Sequence, residues 1–218
     1  AESISTHVGG GAANVAVSMK RQGLEVDIIG ARGVGLNGDK VIDVLSREGI
    51  GQQHIKIVEG VHTGTSVMVS SHDHNAAIFT HRGANGYLDR GDVAAVKFSA
   101  YDAVYLGPLS NDSADIYLPT IEAAKSSDCY IAANPGIRQL TSRTDAFLEG
   151  AKDLNLMALN FEEVRTLLPL LPIGDCKGCT LRGDDKPTAR MEKGLNSGNL
   201  TVPLAEVPLR ELGRERVL

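Results

Sequence analysis

Hydrophobic positions recur along the first 170 residues at two alternating periods, and the alternation predicts the elements. Over residues 12–22, Ala12, Val15, Ala16 and Met19 fall at helical spacing and Gly23 stops the run; residues 26–30 then read as a strand. Val41, Ile42 and Leu45 place a helix over residues 39–48, ended by Gly49. Residues 66–70 and 76–80 are strand-like runs on either side of S-H-D-H-N, which predicts an antiparallel hairpin with His72 and His74 at its tip. Short apolar runs at 102–106, 129–133 and 154–159 have the character of buried parallel strands, and residues 112–125 carry Ile116, Thr120, Ile121 and Ala124 in helical register. That succession predicts an α/β fold: a doubly wound, mostly parallel sheet with helices on both faces, plus a small β hairpin.

In such sheets ligands bind beyond the carboxyl ends of the strands. Polar or turn residues fall at those ends here: Gly107-Pro108-Leu109 after one strand, Asn134-Pro135-Gly136 after the next, and Asn160-Phe161-Glu162-Glu163 after the third. Each has a plain alternative as a turn or helix cap. The glycine cluster Gly9, Gly10 and Gly11, opening into the helix that carries Asn14, is the most pointed signal. Glycine lets backbone N–H groups approach a hydroxyl or phosphate closely, and a helix start presents unpaired donors. A purely mechanical strand-to-helix turn is the competing reading.

Composition narrows the classes. The chain has 218 residues with 42% hydrophobic content, enough for one α/β domain or a domain with an appendage. A net charge of −5 argues against a nucleic-acid partner, no apolar run is long enough to span a membrane, and the opening A-E-S-I-S-T-H is unlike a secretory signal, so the cytoplasm is the expected location. Cys176 and Cys179 form C-K-G-C, but a zinc site needs a second ligand pair at matching spacing, and none follows.

Taken together, G-G-G-A-A-N-V-A-V, I-I-G-A-R-G-V-G-L-N-G-D, T-G-T-S, H-R-G-A-N and A-L-N-F-E-E-V-R-T-L-L resemble the ribokinase-like, or PfkB-type, carbohydrate kinases, in register from Ser5 to Leu168. The resemblance implies phosphorylation of a sugar or nucleoside hydroxyl with ATP and magnesium. It places the acceptor on Gly9, Gly10, Gly11 and Asn14, with Arg82 as a further acceptor contact. It puts Asn160 near the nucleotide and Glu163 near the magnesium ion, and it makes the hairpin within residues 63–83 part of a lid through which two copies pair as a homodimer.

Two departures accompany the match. The family's opening strand, with its acceptor-binding aspartate, is not present, and neither is the G-A-G-D element whose glycines form an anion hole and whose aspartate is the general base; Gly183-Asp184-Asp185 is the nearest string. No catalytic base is assigned. Residues 1–170 are expected to form the core and lid, and residues 171–218 an atypical or incomplete portion, with either a missing segment or a partner subunit completing the sheet. A binding protein that keeps the acceptor pocket without transferring phosphate is the alternative function. A dinucleotide-binding oxidoreductase fits worse, because Asn14 stands where G-x-G-x-x-G ends in glycine.

Overall fold

A computed structural model describes residues 4–70, 76–170 and 216–217. Helix α1 (Gly11–Arg21) leads into strand β1 (Glu25–Gly33), followed by α2 (Leu36–Arg47) and β2 (Gly51–Val58). The hairpin β3 (Thr65–Ser70) and β4 (Ala76–His81) comes next, then the short α3 (Arg90–Ala94) and β5 (Ala103–Leu106). The chain continues through α4 (Tyr117–Ser126), β6 (Tyr130–Ala133), α5 (Ile137–Ser142), α6 (Thr144–Ala151), β7 (Leu156–Met157) and α7 (Phe161–Leu167), and residues Arg216–Val217 add β8. Six strands form one parallel sheet in the order β2-β1-β8-β5-β6-β7.

Two hydrophobic clusters, one on each face, show why the helices lie on both sides. Ala16 of α1, Val26 and Ala103 of the sheet, and Leu45 of α2 close one face. Val104, Leu106, Ile131 and Ala133 close the other against Tyr117 and Ile121 of α4 and Phe147 of α6. Leu45, Ile121 and Phe147 are at most 1% exposed, each stabilising the fold by about 1.5–3 kcal/mol through burial. This is the doubly wound arrangement that the alternating periods predict.

Several elements differ from that reading in detail. β2 was not foreseen: only one face of this edge strand needs apolar residues, and Gln52, Gln53 and His54 dilute the pattern. The helix expected over 112–125 is a 3-10 turn (Asn111–Ile116) that becomes α-helical at Tyr117. Pro119 explains the change: it cannot donate to the preceding turn but is tolerated in the first turn of α4. The apolar run 154–159 contributes only the two ladder residues of β7, at the sheet's other edge.

The hairpin pairs antiparallel from Thr65 with His81 to Ser70 with Ala76. Val67 and Phe79 are paired on one face and Met68 and Ile78 on the other, and all four are more than half exposed. Its root is tied to β1 and α2: the Gly33 N–H donates to Thr63 Oγ1 at 3.0 Å, and the Asn37 side-chain amide donates to Thr65 Oγ1 at 3.2 Å. The histidine tip, Cys176, Cys179 and Gly183-Asp184-Asp185 lie outside the described residues. Among the described residues no cluster of three metal-ligating side chains occurs, and no helix is long and apolar enough to cross a membrane.

Candidate functional site

The carboxyl edge of the sheet collects almost every residue the sequence singles out. Gly10 has φ +101°, a backbone conformation that side chains with a Cβ resist, and it turns the incoming strand of chain into α1. Gly9, Gly10, Gly11 and Asn14 are exposed, and the Asn14 side chain makes no hydrogen bond among the described residues. The loop after β5 packs against this turn: a Cβ on Gly11 would lie 2.8 Å from Pro108 Cδ, and one on Gly107 would lie 3.2 Å from the Ala12 nitrogen. Across Pro108 the contact continues to Gly136 after β6, where a Cβ would sit 3.1 Å from the proline ring.

From there the edge runs on to the last predicted residues. Asn134 donates its side-chain amide to the Ala158 carbonyl at 2.7 Å, joining the loops after β6 and β7. Two residues later Asn160 heads α7 in a reciprocal box: Asn160 Oδ1 accepts the Glu163 N–H at 2.9 Å, and Glu163 Oε2 accepts the Asn160 N–H at 2.9 Å. Glu163 is 7% exposed, while Asn160 is exposed. The box engages only one oxygen of the Glu163 carboxylate. Burial, and secondarily the Glu163 charge, push the Tyr105 phenol at the end of β5 above its ordinary pKa, so it stays a neutral donor.

Arg82 lies at the root of the hairpin, half-buried, with its carbonyl accepting the Asn85 N–H. The next turn is held to the same root, since Ala84 donates to the His62 carbonyl. The structure thus brings the glycine turn, the two loops at Pro108 and Gly136, and the Asn160 box onto one edge, with the hairpin root at the carboxyl end of β1. The sequence reading missed Arg32, at that same end: its side chain is 17% exposed, pairs with Asp39 at 3.2 Å, and keeps Nε buried without a partner among the described residues. An arginine following the apolar run at residues 28–31 was the available signal. Tyr105 was also missed, because nothing in a short apolar run marks one tyrosine as an edge residue.

A single buried carboxylate with one oxygen outside its box suits a magnesium ion that keeps most of its waters and is otherwise held by substrate phosphates. It would not suit a metal demanding an all-protein cage, and no such cage exists among the described residues.

The model of the pfkB family of carbohydrate kinases matches residues 1–177. A nucleoside kinase of Methanothermobacter thermautotrophicus is 30% identical over 98 residues, covering 45% of this chain and 32% of that protein. Among solved structures, ribokinase from Cryptococcus neoformans in complex with ADP superposes with a TM-score of 0.59 at 27% identity, covering 72% of this chain and 48% of the other. A ribokinase II structure from E. coli gives 0.66 at 18% identity, covering 73% and 55%. The chain therefore spans about half the length of these solved relatives and a third of the nucleoside kinase. With the family model covering most of its length on a fold those kinases share, the chain belongs to the pfkB family of carbohydrate kinases.

Proposed function

We propose that the protein is an ATP-dependent kinase that transfers the γ-phosphoryl group to a hydroxyl of a sugar or nucleoside. One observation carries the reading: an exposed glycine turn at a helix start and an asparagine–glutamate box occupy the same sheet edge, linked through Pro108, Gly136 and Asn134. Phosphoryl transfer needs positioning and charge stabilisation more than covalent chemistry, and an edge of converging loops on a rigid sheet provides the positioning.

In this reading Gly9, Gly10, Gly11 and Asn14 hold acceptor hydroxyls, with Arg82 at the hairpin root as a further contact. Asn160 lies toward the nucleotide. Glu163 orients magnesium, which when bound would neutralise phosphate charge. The hairpin acts as a lid that excludes water from the site. A second copy of the chain covers its exposed apolar face, where Val67 and Phe79 otherwise meet solvent. The ADP complex of the Cryptococcus ribokinase and the nucleoside kinase relative support nucleotide use and this acceptor class.

ADP release measured on the full chain with a panel of sugars and nucleosides tests the proposal. Turnover with at least one acceptor is expected; acceptor binding seen by calorimetry with no ADP would favour a binding protein instead. Glu163→Gln tests the metal assignment separately, because glutamine keeps an oxygen for the Asn160 N–H. Its thermal midpoint should hold while the magnesium concentration for half-maximal activity rises about tenfold, the equivalent of ~1.4 kcal/mol. An unchanged magnesium titration removes Glu163 from that role.

A further inference from the structure

The strand order reverses at the carboxyl edge: from β1 the chain builds outward to β2, and from β5 it builds the other way through β6 to β7. Ligands of doubly wound sheets enter at such a reversal, and here it is flanked by Arg32 at the end of β1 and the Gly107-Pro108 loop after β5. Arg32 alternates with Val26 and Ile28, which places it on the α1 and α2 face of the sheet. Gly38 in the first turn of α2 makes room for it: a Cβ there would lie 3.1 Å from Arg32 Nη1 and 3.0 Å from Thr63 Oγ1. The guanidinium therefore sits between α2 and the hairpin root.

Its donors are poorly used. Both of its bonds leave from Nη1, to the Gly33 carbonyl at 3.4 Å and to Asp39 at 3.2 Å, and Asp39 is itself 64% exposed. Nε is buried with no acceptor among the described residues. Two more cations adjoin. Lys40 donates to the Thr6 carbonyl at 2.8 Å, just before the glycine turn begins at Gly9, and Arg82 passes the same root, where a Cβ on Gly64 would lie 2.7 Å from its carbonyl oxygen. The Arg82 side chain has no hydrogen bond or ion pair among the described residues, and Asp39 is the only carboxylate there that pairs with any of the three cations. A largely buried guanidinium with idle donors is electrostatically unfavourable for the fold alone, and its fork suits the paired oxygens of a phosphate or carboxylate.

We propose that Arg32 and Arg82 form an anion subsite of the acceptor pocket, so that the acceptor is a sugar already bearing a phosphate or carboxylate group, an inference that rests on the kinase reading above. The anion held there is not the phosphoryl group in transfer. Glu163 belongs to α7, which follows β7, four strand spacings or about 19 Å from β1 and beyond the reach of an arginine side chain. The acceptor's charged end lies at Arg32, and its reacting hydroxyl lies toward the glycine turn and Pro108.

Calorimetry on the full chain tests the subsite without turnover, using a panel of pentoses and hexoses, each as the neutral sugar, its monophosphate and its sugar acid, together with nucleosides. ADP release is read on the same panel. At least one anionic form should bind about ten- to a hundredfold tighter than its neutral parent, as charge-assisted bonds to a partly buried guanidinium require, and which form does so separates phosphate from carboxylate. Arg32→Gln should bring that ratio down to about one to three. Arg82→Gln, which removes no bond within the described chain, should lower the ratio about threefold or more and decides the matter if Arg32→Gln also lowers the thermal midpoint. Neutral sugars or nucleosides that bind as tightly as every anionic form overturn the subsite, as does a preference that survives both substitutions or the failure of every anionic form to bind. Equal ADP release from neutral and anionic sugars overturns the subsite and leaves the kinase reading standing; arginine-dependent anion binding with no ADP release does the reverse.

Discussion

The two ends of the parallel sheet carry similar polar side chains and use them in opposite ways. At the amino-terminal end Asp27 accepts the Tyr101 hydroxyl at 2.6 Å and the Gln53 amide at 2.9 Å, and His54 Nε2 lies 3.0 Å from the same tyrosine oxygen. These groups satisfy one another. At the carboxyl end Gly9, Gly10 and Asn14 are exposed, and the Asn14 side chain has no such partner among the described residues. Asn160 and Glu163 stand between the two cases, engaged with each other yet leaving a carboxylate oxygen and an exposed asparagine at the edge. Polar groups whose hydrogen bonds close within the chain serve the fold; those left open where loops converge are available to a ligand.

The largest effect should come from breaking the closed end. Asp27→Ala removes the carboxylate that accepts from the part-buried Tyr101 hydroxyl and from the Gln53 amide, two charge-assisted bonds, at a cost of about 1–3 kcal/mol of stability. The denaturation midpoint should fall while acceptor affinity stays the same. If stability holds and acceptor affinity drops, the division between the two ends is wrong. Asn160→Ala should cost less, about 1 kcal/mol, because it removes one cap from α7. It should also weaken nucleotide binding, since its side chain is exposed at the edge. A stability loss with unchanged nucleotide affinity would make Asn160 a cap and nothing more.

The same contrast explains what could be read from the sequence. Elements whose pattern is set by burial, such as β5 and β6 on both faces and α1 along one, stand out as apolar runs or helical spacing. β2 escaped because an edge strand is apolar on one side only, and β7 was overestimated because an apolar run does not say how far its neighbour extends. At the site, the glycines before α1 and the Asn160–Glu163 spacing were visible because backbone geometry demands particular residue types there. The links between them were not. Gly107, Pro108 and Gly136 matter through contacts between loops far apart in the chain, and Arg32 and Tyr105 through position at the end of a strand. The closed network of Asp27, Gln53, His54 and Tyr101 was equally invisible, because it is assembled from three separate segments.

The smallest change in stability should belong to Asn14, to which the proposed function gives acceptor binding. Asn14 is exposed in the first turn of α1, and among the described residues its side chain holds nothing in place. Alanine is the better helix former, so Asn14→Ala should leave stability unchanged or raise it by up to about 0.5 kcal/mol. If the side chain holds an acceptor hydroxyl, the same substitution should weaken sugar or nucleoside binding by about 1 kcal/mol, five- to tenfold in Kd. Opposite signs in the two measurements cannot arise from a damaged fold, which would lower both. A drop in stability would instead give Asn14 a structural partner and move it to the closed class. Unchanged affinity would leave the glycine turn itself, through its backbone N–H groups, as the acceptor contact.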